Sequence, residues 1–294
     1  MNSSTKRGYL ALAAISILWG TTWFTSKLVL KELPPLFMSG LRQLAAGTLL
    51  LAWLSFKKVS WPNRKEMMRH VLLGFLFFTC SNGLSTWGIK YIPSFAGALI
   101  GCLMPFVLVL ANGFLFGEKV RPGIWGSLLA GFTGIAIILF SFNKEFQVGP
   151  DFMVGVGLCL ISLITWTTGT ITVARQHLQG NPYMGVAWQM LFGGVLSFFI
   201  SLVIEPHVHL AEVSFGTWLN WFYLVFIGSI VCFVSYQYAL KTLPMSMVSI
   251  YVYVNPIVAM ALGILFLREP FHWQVIPGAL LTFLGIYGVK KFQV

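Results

Sequence analysis

Ten apolar runs of about 20 residues each constrain this chain more than any other feature of its sequence. They cover roughly residues 8–30, 35–56, 69–89, 94–117, 123–141, 152–174, 183–204, 217–239, 244–267 and 272–291. The hydrocarbon core of a bilayer takes about 20 helical residues, whereas the strands of a membrane barrel would alternate in segments of about 10. The gaps between runs are too short for a soluble domain, the longest being 57–68, 142–151 and 205–216. The runs predict an all-α polytopic membrane protein with ten transmembrane helices.

The charge pattern predicts how such a protein would be oriented. Charged residues make up only 9% of the chain, and the net charge of +11 comes from basic residues in the gaps, so a nucleic-acid partner is not expected. Thirteen Lys and Arg fall on one side, five on the other, and Arg42 lies inside the second run. The positive-inside rule makes the thirteen-residue side cytoplasmic and places both termini there. Lys6 and Arg7 precede a run longer than a signal-peptide core, which favours a first transmembrane helix over a cleaved signal.

An internal repeat divides the chain into two halves, 1–143 and 144–294. Three marks recur in the same order 151 residues later: Pro93, Pro105 and Glu118, then Pro244, Pro256 and Glu269. Trp19 and Trp166 are related in the same way at 147 residues. Each half has five predicted helices, an odd number, so the second half must cross the membrane in the opposite sense. Inverted-topology repeats of this kind are typical of transporters that work by alternating access, so transport is favoured over the alternative of a duplication that only builds a stable bundle.

Short motifs follow one another in a fixed order along both halves. They are Trp19-Gly20, Pro34-Pro35, Arg42, Asn82, Gly88 to Ala96, Pro105 and Gly117-Glu118, then Tyr238 to Pro244, Ser249 to Tyr251, Asn255-Pro256 and Arg268-Glu269-Pro270. This ordered set, over nearly the whole chain, resembles the EamA family of the drug/metabolite transporter superfamily. The resemblance implies two inverted five-helix repeats around a central cavity, and transport, often export, of amino acids or other small metabolites across a bacterial inner membrane. One departure is Arg268, because the family commonly has a glycine before the glutamate.

Two tryptophans and one arginine lie where a membrane helix normally has aliphatic residues. Trp19 is about eleven residues into the first helix, near the bilayer centre, and Trp166 has a similar depth, whereas tryptophan usually lies at the interfaces. They are predicted to line a cavity, plain core packing being the alternative. Arg42 is the only basic residue clearly inside a run. A charge at that depth is costly, so Arg42 is predicted either to bind a substrate carboxylate or to reach out to the interface.

Polar and aromatic residues at interior depths complete the predicted site. The cavity is predicted to be lined by Trp19, Trp23, Arg42, Asn82, Ser85, Trp166, Tyr236, Gln237, Tyr253 and Asn255. Such a lining suits a neutral or zwitterionic solute with a polar head and an apolar body, while hydrogen bonding between helices would explain any one polar residue alone. Pro105 and Pro256 are predicted to act as hinges or static kinks, Glu118 and Glu269 to act in structural pairing or gating, and Gly97 and Gly101 to serve helix packing.

Missing groups narrow the function. The only Asp is Asp151, and all seven Glu lie in loops or at helix ends, so no residue stands out for proton coupling or for acid–base catalysis. The sequence has no Cys-x-x-Cys pair and no phosphate-binding glycine loop, so neither a metal nor a cofactor is expected. The expected partners are a small-molecule substrate and the lipid bilayer, for a monomer or a homodimer. Multidrug export, carriage of nucleotide sugars or phosphate esters, and a membrane enzyme or channel remain alternatives.

Overall fold

The computed structural model describes residues 3–117, 122–141, 150–176, 180–243, 245–248, 250–269 and 271–293. Every regular element in these residues is helical. Within the described residues, eight helices are long and apolar enough to cross a membrane, and two shorter apolar helices are Tyr251–Leu267 and Val275–Val289. Each predicted run is therefore helical over most of its described residues, as expected for a polytopic membrane protein.

The helices are numbered here in chain order. They are α1 Ser3–Val29, α2 Pro35–Phe56, α3 Arg64–Tyr91, α4 Ser94–Gly101 with Met104–Phe116, α5 Pro122–Ser141, α6 Pro150–Gln176, α7 Pro182–Ile204, α8 Phe215–Thr242, α9 Met245–Val248 with Tyr251–Leu267, and α10 Val275–Gln293. Proline is the first residue of four of them, where its missing N–H leaves no hydrogen bond unmade. Asn63 and Glu66 form a reciprocal capping box at the start of α3, with bonds of 2.9 and 3.0 Å.

The turns after α4 and α9 use different residues for the same backbone conformation. Gly117 follows α4 with φ of +68°, and Arg268 follows α9 with φ of +54°. Glycine adopts this left-handed conformation freely, whereas a residue with a Cβ is strained by it. The departure from glycine at Arg268 therefore leaves the turn in place, at a cost in strain.

Segments of π-helix interrupt α3 and α8 at corresponding places, which the sequence did not predict. They run from Phe75 to Gly83 and from Leu224 to Val231, so their starts are 149 residues apart, close to the spacing of the sequence repeat. Such segments are rare in helices and occur often at functional sites. Both lie beside the cavity described below.

The break in α4 lies just before the predicted proline. A turn at Cys102 and Leu103 separates the two parts of α4, and Pro105 is the second residue of the next helix. Pro105 therefore starts a helix rather than breaking one, because its missing N–H falls in a first turn. Pro256 does lie inside its helix. Glu118 and Pro244 lie outside the described residues.

Helix pairing follows the repeat. The most extensive contacts join α2 with α7 and α5 with α10, which are equivalent positions in the two halves. Helix α1 packs on α8 and α9, and α6 correspondingly packs on α3 and α4. The α2–α7 contact is close because glycine allows it: a Cβ at Gly40 would lie 2.6 Å from the backbone nitrogen of Phe198. These pairs are the ones that a twofold relation between the halves would produce.

Three glutamate carboxylates lie at the same end of the bundle, here named the carboxylate end. Glu205 accepts two bonds of 2.8 Å from the first turn of α2. Glu32 accepts from the backbone and hydroxyl of Ser214, and Glu269 does the same with Ser94. Bonds from Ser214 lower the pKa of Glu32 below its ordinary value. Each carboxylate thus caps a helix of the other half, where the N–H groups and the helix dipole favour negative charge.

Candidate functional site

A central cavity lies between the two halves, bounded by α1, α2, α3 and α4 on one side and by α6, α8 and α9 on the other. It encloses about 1080 Å³ of space free of protein atoms, including its mouth. Open space at the mouth accounts for part of this volume, so it is an upper bound on the room for a solute.

Seven of the ten predicted residues line this cavity: Trp19, Trp23, Arg42, Asn82, Ser85, Trp166 and Asn255. The other three do not. Tyr236 packs behind the wall, with its ring centroid 5.4 Å from that of Trp19, and Tyr253 turns toward α10, 5.7 Å from Phe283. Gln237 is also absent from the lining. Successive helical residues differ by about 100° in direction, so Val252 and Asn255 face the cavity while Tyr253 between them does not.

Trp19 closes one end of the cavity. Its indole N–H donates to the carbonyl of Gly228, in the π segment of α8, at 3.1 Å. Its ring lies 5.2 Å from both Phe233 and Tyr251. Beyond these rings α1, α8 and α9 pack tightly around fully buried Ile15. The aromatic cluster of Trp19, Tyr236 and Tyr251, here named the aromatic plug, lies between the cavity and the end of the bundle opposite the carboxylate end.

Trp166, on α6, lines the cavity as well. Its ring lies 4.9 Å from Phe77 and 6.5 Å from Phe233. Phe233 also touches Trp19, so one phenylalanine joins the two tryptophans that the repeat relates. Sequence reasoning missed Phe233 and Tyr251, because an aromatic residue in an apolar run gives no signal of which way it faces.

Arg42 is buried, with 4% of its surface exposed, and lines the cavity. Its Nε donates to the hydroxyl of Ser229 at 2.9 Å. No carboxylate in the described part of the chain lies within ion-pair distance of it. The side chain thus reaches into the protein instead of out to the interface. A buried guanidinium with one neutral partner favours binding of an anion.

Neutral polar groups surround the arginine. The Asn82 Oδ1 accepts from Ser39 at 2.8 Å and from Gln43 at 3.3 Å, which leaves the amide nitrogen of Asn82 to donate into the cavity. The side chain of Asn255 is hydrogen-bonded to neighbouring residues. With its amide nitrogen turned toward them, it donates to the carbonyls of Ser16 at 2.7 Å and Tyr251 at 3.2 Å. Asn255 therefore joins α9 to α1.

The glycines of α4 do more than pack helices. Gly97 faces Trp23, whose ring would lie 2.8 Å from an added Cβ. Gly101, one turn on, has no atom within 4 Å of where its Cβ would be, and it lines the cavity. The expectation of helix packing is wrong for Gly101, because no neighbouring helix lies within 4 Å of an added Cβ and the position borders the cavity instead.

An ion pair lies at the carboxylate end. The Lys27 Nζ is 3.7 Å from the Glu269 carboxylate and also donates to the carbonyl of Ile92. Glu269 is 8% exposed and caps α4 through Ser94. Lys27 directly follows Ser26, a cavity residue. The pair joins α1 and α4 to the turn after α9, and sequence reasoning had counted Lys27 only as a loop charge.

The chain is similar in sequence to known membrane transporters. The model of the EamA-like transporter family matches residues 6–140 and again 153–290. The uncharacterized inner membrane transporter YedA of Escherichia coli K12 is 32% identical over 86% of this chain and 80% of its own length. The uncharacterized transporter YoaV of Bacillus subtilis is 24% identical over 95% of this chain and 94% of its own.

The fold has also been seen in a crystal. A protein of known structure superposes with a TM-score of 0.65 over 97% of this chain and 96% of its own, at 18% identity, which shows likeness of fold alone. The family match covers nearly the whole chain, once in each half. The chain therefore belongs to the EamA-like transporter family and is a membrane transporter of small molecules.

Proposed function

We propose that this protein is a secondary transporter that exports small metabolites, amino acids above all, across the bacterial inner membrane by alternating access. The observation that carries the proposal is the cavity between the halves, with one buried cation, neutral polar groups and an aromatic wall. A carboxylate head and an apolar body match this lining. Neutral amino acids, aromatic ones included, have both.

The proposed architecture is a pair of inverted five-helix repeats, 1–143 and 144–294. Two separate matches to one family model support it, and so do the paired π segments and the pairing of α2 with α7. Five helices in each half require opposite crossing senses. Exchange of conformation between such halves opens a shared site first to one side and then to the other.

Charge supports an orientation with both termini in the cytoplasm. Lys57 and Lys58 lie in the α2–α3 connection, and Arg64 and Lys65 lie in the first turn of α3, away from the carboxylate end. The positive-inside rule assigns that connection to the cytoplasm. The carboxylate end then faces outward and the aromatic plug faces inward.

Two devices are proposed to gate the cavity. The Lys27–Glu269 pair holds the outer end, and the aromatic plug holds the inner end. Pro105 and Pro256 are proposed as hinges. Pro105 lies beside the interruption of α4 and Pro256 lies within α9, and helical hydrogen bonding is already incomplete at both places. Glu118 keeps its predicted gating role by its repeat relation to Glu269.

The alternatives fit the cavity less well. Nucleotide sugars and phosphate esters call for several cations, and Arg42 is the one described in the lining. A multidrug pump for cations calls for an acid, and the described lining holds none. Channel conduction is opposed by the aromatic plug. The partners proposed are the substrate and the bilayer, with the protein as a monomer or homodimer.

A flux assay in liposomes tests the proposal. Labelled neutral amino acids are expected to cross at a rate that a pH gradient does not change, since no acid in the described lining can carry a proton. Trp19→Ala and Trp166→Ala should each reduce flux at least about tenfold, because each removes a wall of the site. Trp125→Ala, a matched change at an exposed tryptophan, should leave flux unchanged.

Three results would count against it. If no amino acid crosses, the substrate class is wrong. If a pH gradient drives flux, uncoupled transport is wrong. If Trp19→Ala and Trp166→Ala behave like Trp125→Ala, the cavity is not the transport site.

A further inference from the structure

We infer that the cavity recognises its substrate by the carboxylate and does not require the ammonium group. The substrate class is then monocarboxylates with an aromatic or apolar body, of which neutral amino acids are one subset. The inference rests on the proposed function, because it concerns the same cavity, and it narrows the chemistry by which that cavity selects.

The carboxylate subsite is Arg42. Its Nε is engaged with Ser229, so the guanidinium is held in a fixed orientation with its terminal nitrogens left for a ligand. A Cβ at Gly228 would lie 3.0 Å from Nη2 and 2.8 Å from the methyl group of Thr22, so glycine at this position lets the guanidinium pack closely against α8. A planar guanidinium binds a carboxylate through two parallel hydrogen bonds.

No comparable subsite exists for an ammonium group in the described lining. The carboxylates at the carboxylate end cap helices, and Glu269 is bonded to Ser94 and paired with Lys27. The remaining polar groups are hydroxyls and amides such as Ser85 and Asn82. Neutral oxygens bind an ammonium more weakly than a carboxylate does. Removing the ammonium from a ligand should therefore cost little, whereas removing its carboxylate leaves Arg42 buried without an anion.

The body of the ligand is selected by the aromatic wall. Trp19, Trp166 and Phe233 present ring surfaces on one side, and Gly101 leaves open space on another. Aromatic rings pack well against such a wall in edge-to-face or offset arrangements. The same ring faces can also attract a cation, so binding of an amine must be measured directly.

Three ligands that share a phenyl body distinguish the contribution of the carboxylate from that of the ammonium group. Purified protein is titrated with phenylalanine, 3-phenylpropionate and phenethylamine, and affinity is measured by calorimetry. We expect 3-phenylpropionate to bind within about threefold of phenylalanine, and phenethylamine to bind at least about tenfold more weakly. Arg42→Gln introduces the residue that stands at the repeat-related position 189. It should weaken the binding of both carboxylate ligands at least about tenfold and leave the affinity for phenethylamine unchanged.

Controls keep the test specific. Lys65→Gln removes one positive charge from an exposed site and should change none of the three affinities. Arg42→Lys keeps the charge without the paired bonds and should fall between wild type and Arg42→Gln. The thermal transition of each variant establishes that it is folded.

The outcomes separate the inference from the proposed function. Phenethylamine that binds as tightly as phenylalanine, with amino-acid flux intact, overturns the inference alone. A loss of 3-phenylpropionate binding relative to phenylalanine also overturns it, because the ammonium is then required. If none of the three ligands binds and no amino acid crosses liposomes, both are wrong.

Discussion

At the scale of single residues, small side chains decide how much room the cavity has. Gly97, Ala98 and Gly101 lie along the cavity face of α4. A Cβ at Gly97 would meet Trp23 and Ile89, whereas one at Gly101 would meet nothing within 4 Å. Two glycines one turn apart therefore have different roles, one in allowing contact and the other in leaving space.

Gly101→Leu should block transport without unfolding the protein. The new side chain enters empty space, and replacing a helical glycine gains about 0.5–1 kcal/mol of stability. Flux in liposomes is expected to fall at least about tenfold because the side chain occupies the ligand's place. Gly126→Leu, at an exposed glycine that also has no atom within 4 Å, is the matched control and should transport normally. Equal flux in the two variants would show that Gly101 does not bound the substrate path.

Arg268 is strained by its left-handed backbone. Arg268→Gly should stabilise the protein by about 1 kcal/mol, because glycine adopts a φ of +54° without a steric cost and the side chain is exposed. Thermal unfolding in detergent measures the change. A lower transition temperature would mean that the arginine makes a contact worth more than the strain.

At the scale of helices, the ends of α1, α4 and α9 are joined by one small network. Glu269 serves two elements at once, as cap of α4 through Ser94 and as partner of Lys27 on α1. Lys27 in turn binds the carbonyl of Ile92 just before α4. In the proposed mechanism, opening this end of the cavity breaks the network, since it ties helices of both halves together.

Glu269→Gln should therefore open the carboxylate end more often. Glutamine keeps an acceptor for Ser94 but removes the charge that holds Lys27. The natural thiol of Cys159, buried in the cavity wall, reports opening in a background with the other three cysteines replaced by alanine. A membrane-impermeant thiol reagent is expected to label it several times faster in the variant.

The control for this change is Lys31→Gln, at an exposed lysine close to the same end. Its labelling rate should match that of the parent. An unchanged rate for Glu269→Gln, with the protein folded, would show that the ion pair is structural and does not gate the cavity.

At the scale of the whole molecule, two similar halves enclose an asymmetric site. Arg42 lies in the cavity, but Gln189 at the related position of α7 is bonded to His70 at 3.2 Å and does not line it. The two halves therefore share the same helix arrangement, and the difference between Arg42 and Gln189 gives the cavity its positive charge. In the proposed mechanism, a substrate bound at Arg42 stays on the first half while the two halves exchange conformations around it.

The proposed topology predicts where reporters become active. A fluorescent protein fused after Val294 should fluoresce and a phosphatase at the same point should be inactive, because both termini are expected in the cytoplasm. Truncation of both fusions after residue 269 should reverse the two signals, since one fewer helix is then present. An active phosphatase on the full-length chain would place the basic connections outside and contradict the assignment.

Much of the fold followed from length and charge alone. About 20 apolar residues are enough to specify a membrane helix, because no other regular structure satisfies its own backbone in lipid without a barrel. Trp19 and Trp166 were predicted to line the cavity because tryptophan normally lies at the membrane interfaces and not at mid-depth. Arg42 was predicted there because a charge inside the membrane is costly. Residues that broke no rule, such as Phe233, gave no such signal.

The sequence by itself determined that the apolar runs are helical and which residues within them are unusual. Only the tertiary structure decided which faces meet: Tyr251 lines the cavity and Tyr253 does not, and Gly101 borders space while Gly97 borders a ring. The physical reason is that lipid and protein interior are equally apolar, so the periodicity that separates inside from outside in a soluble helix is lost here. Neighbouring helices had to be packed together before the faces of each could be told apart.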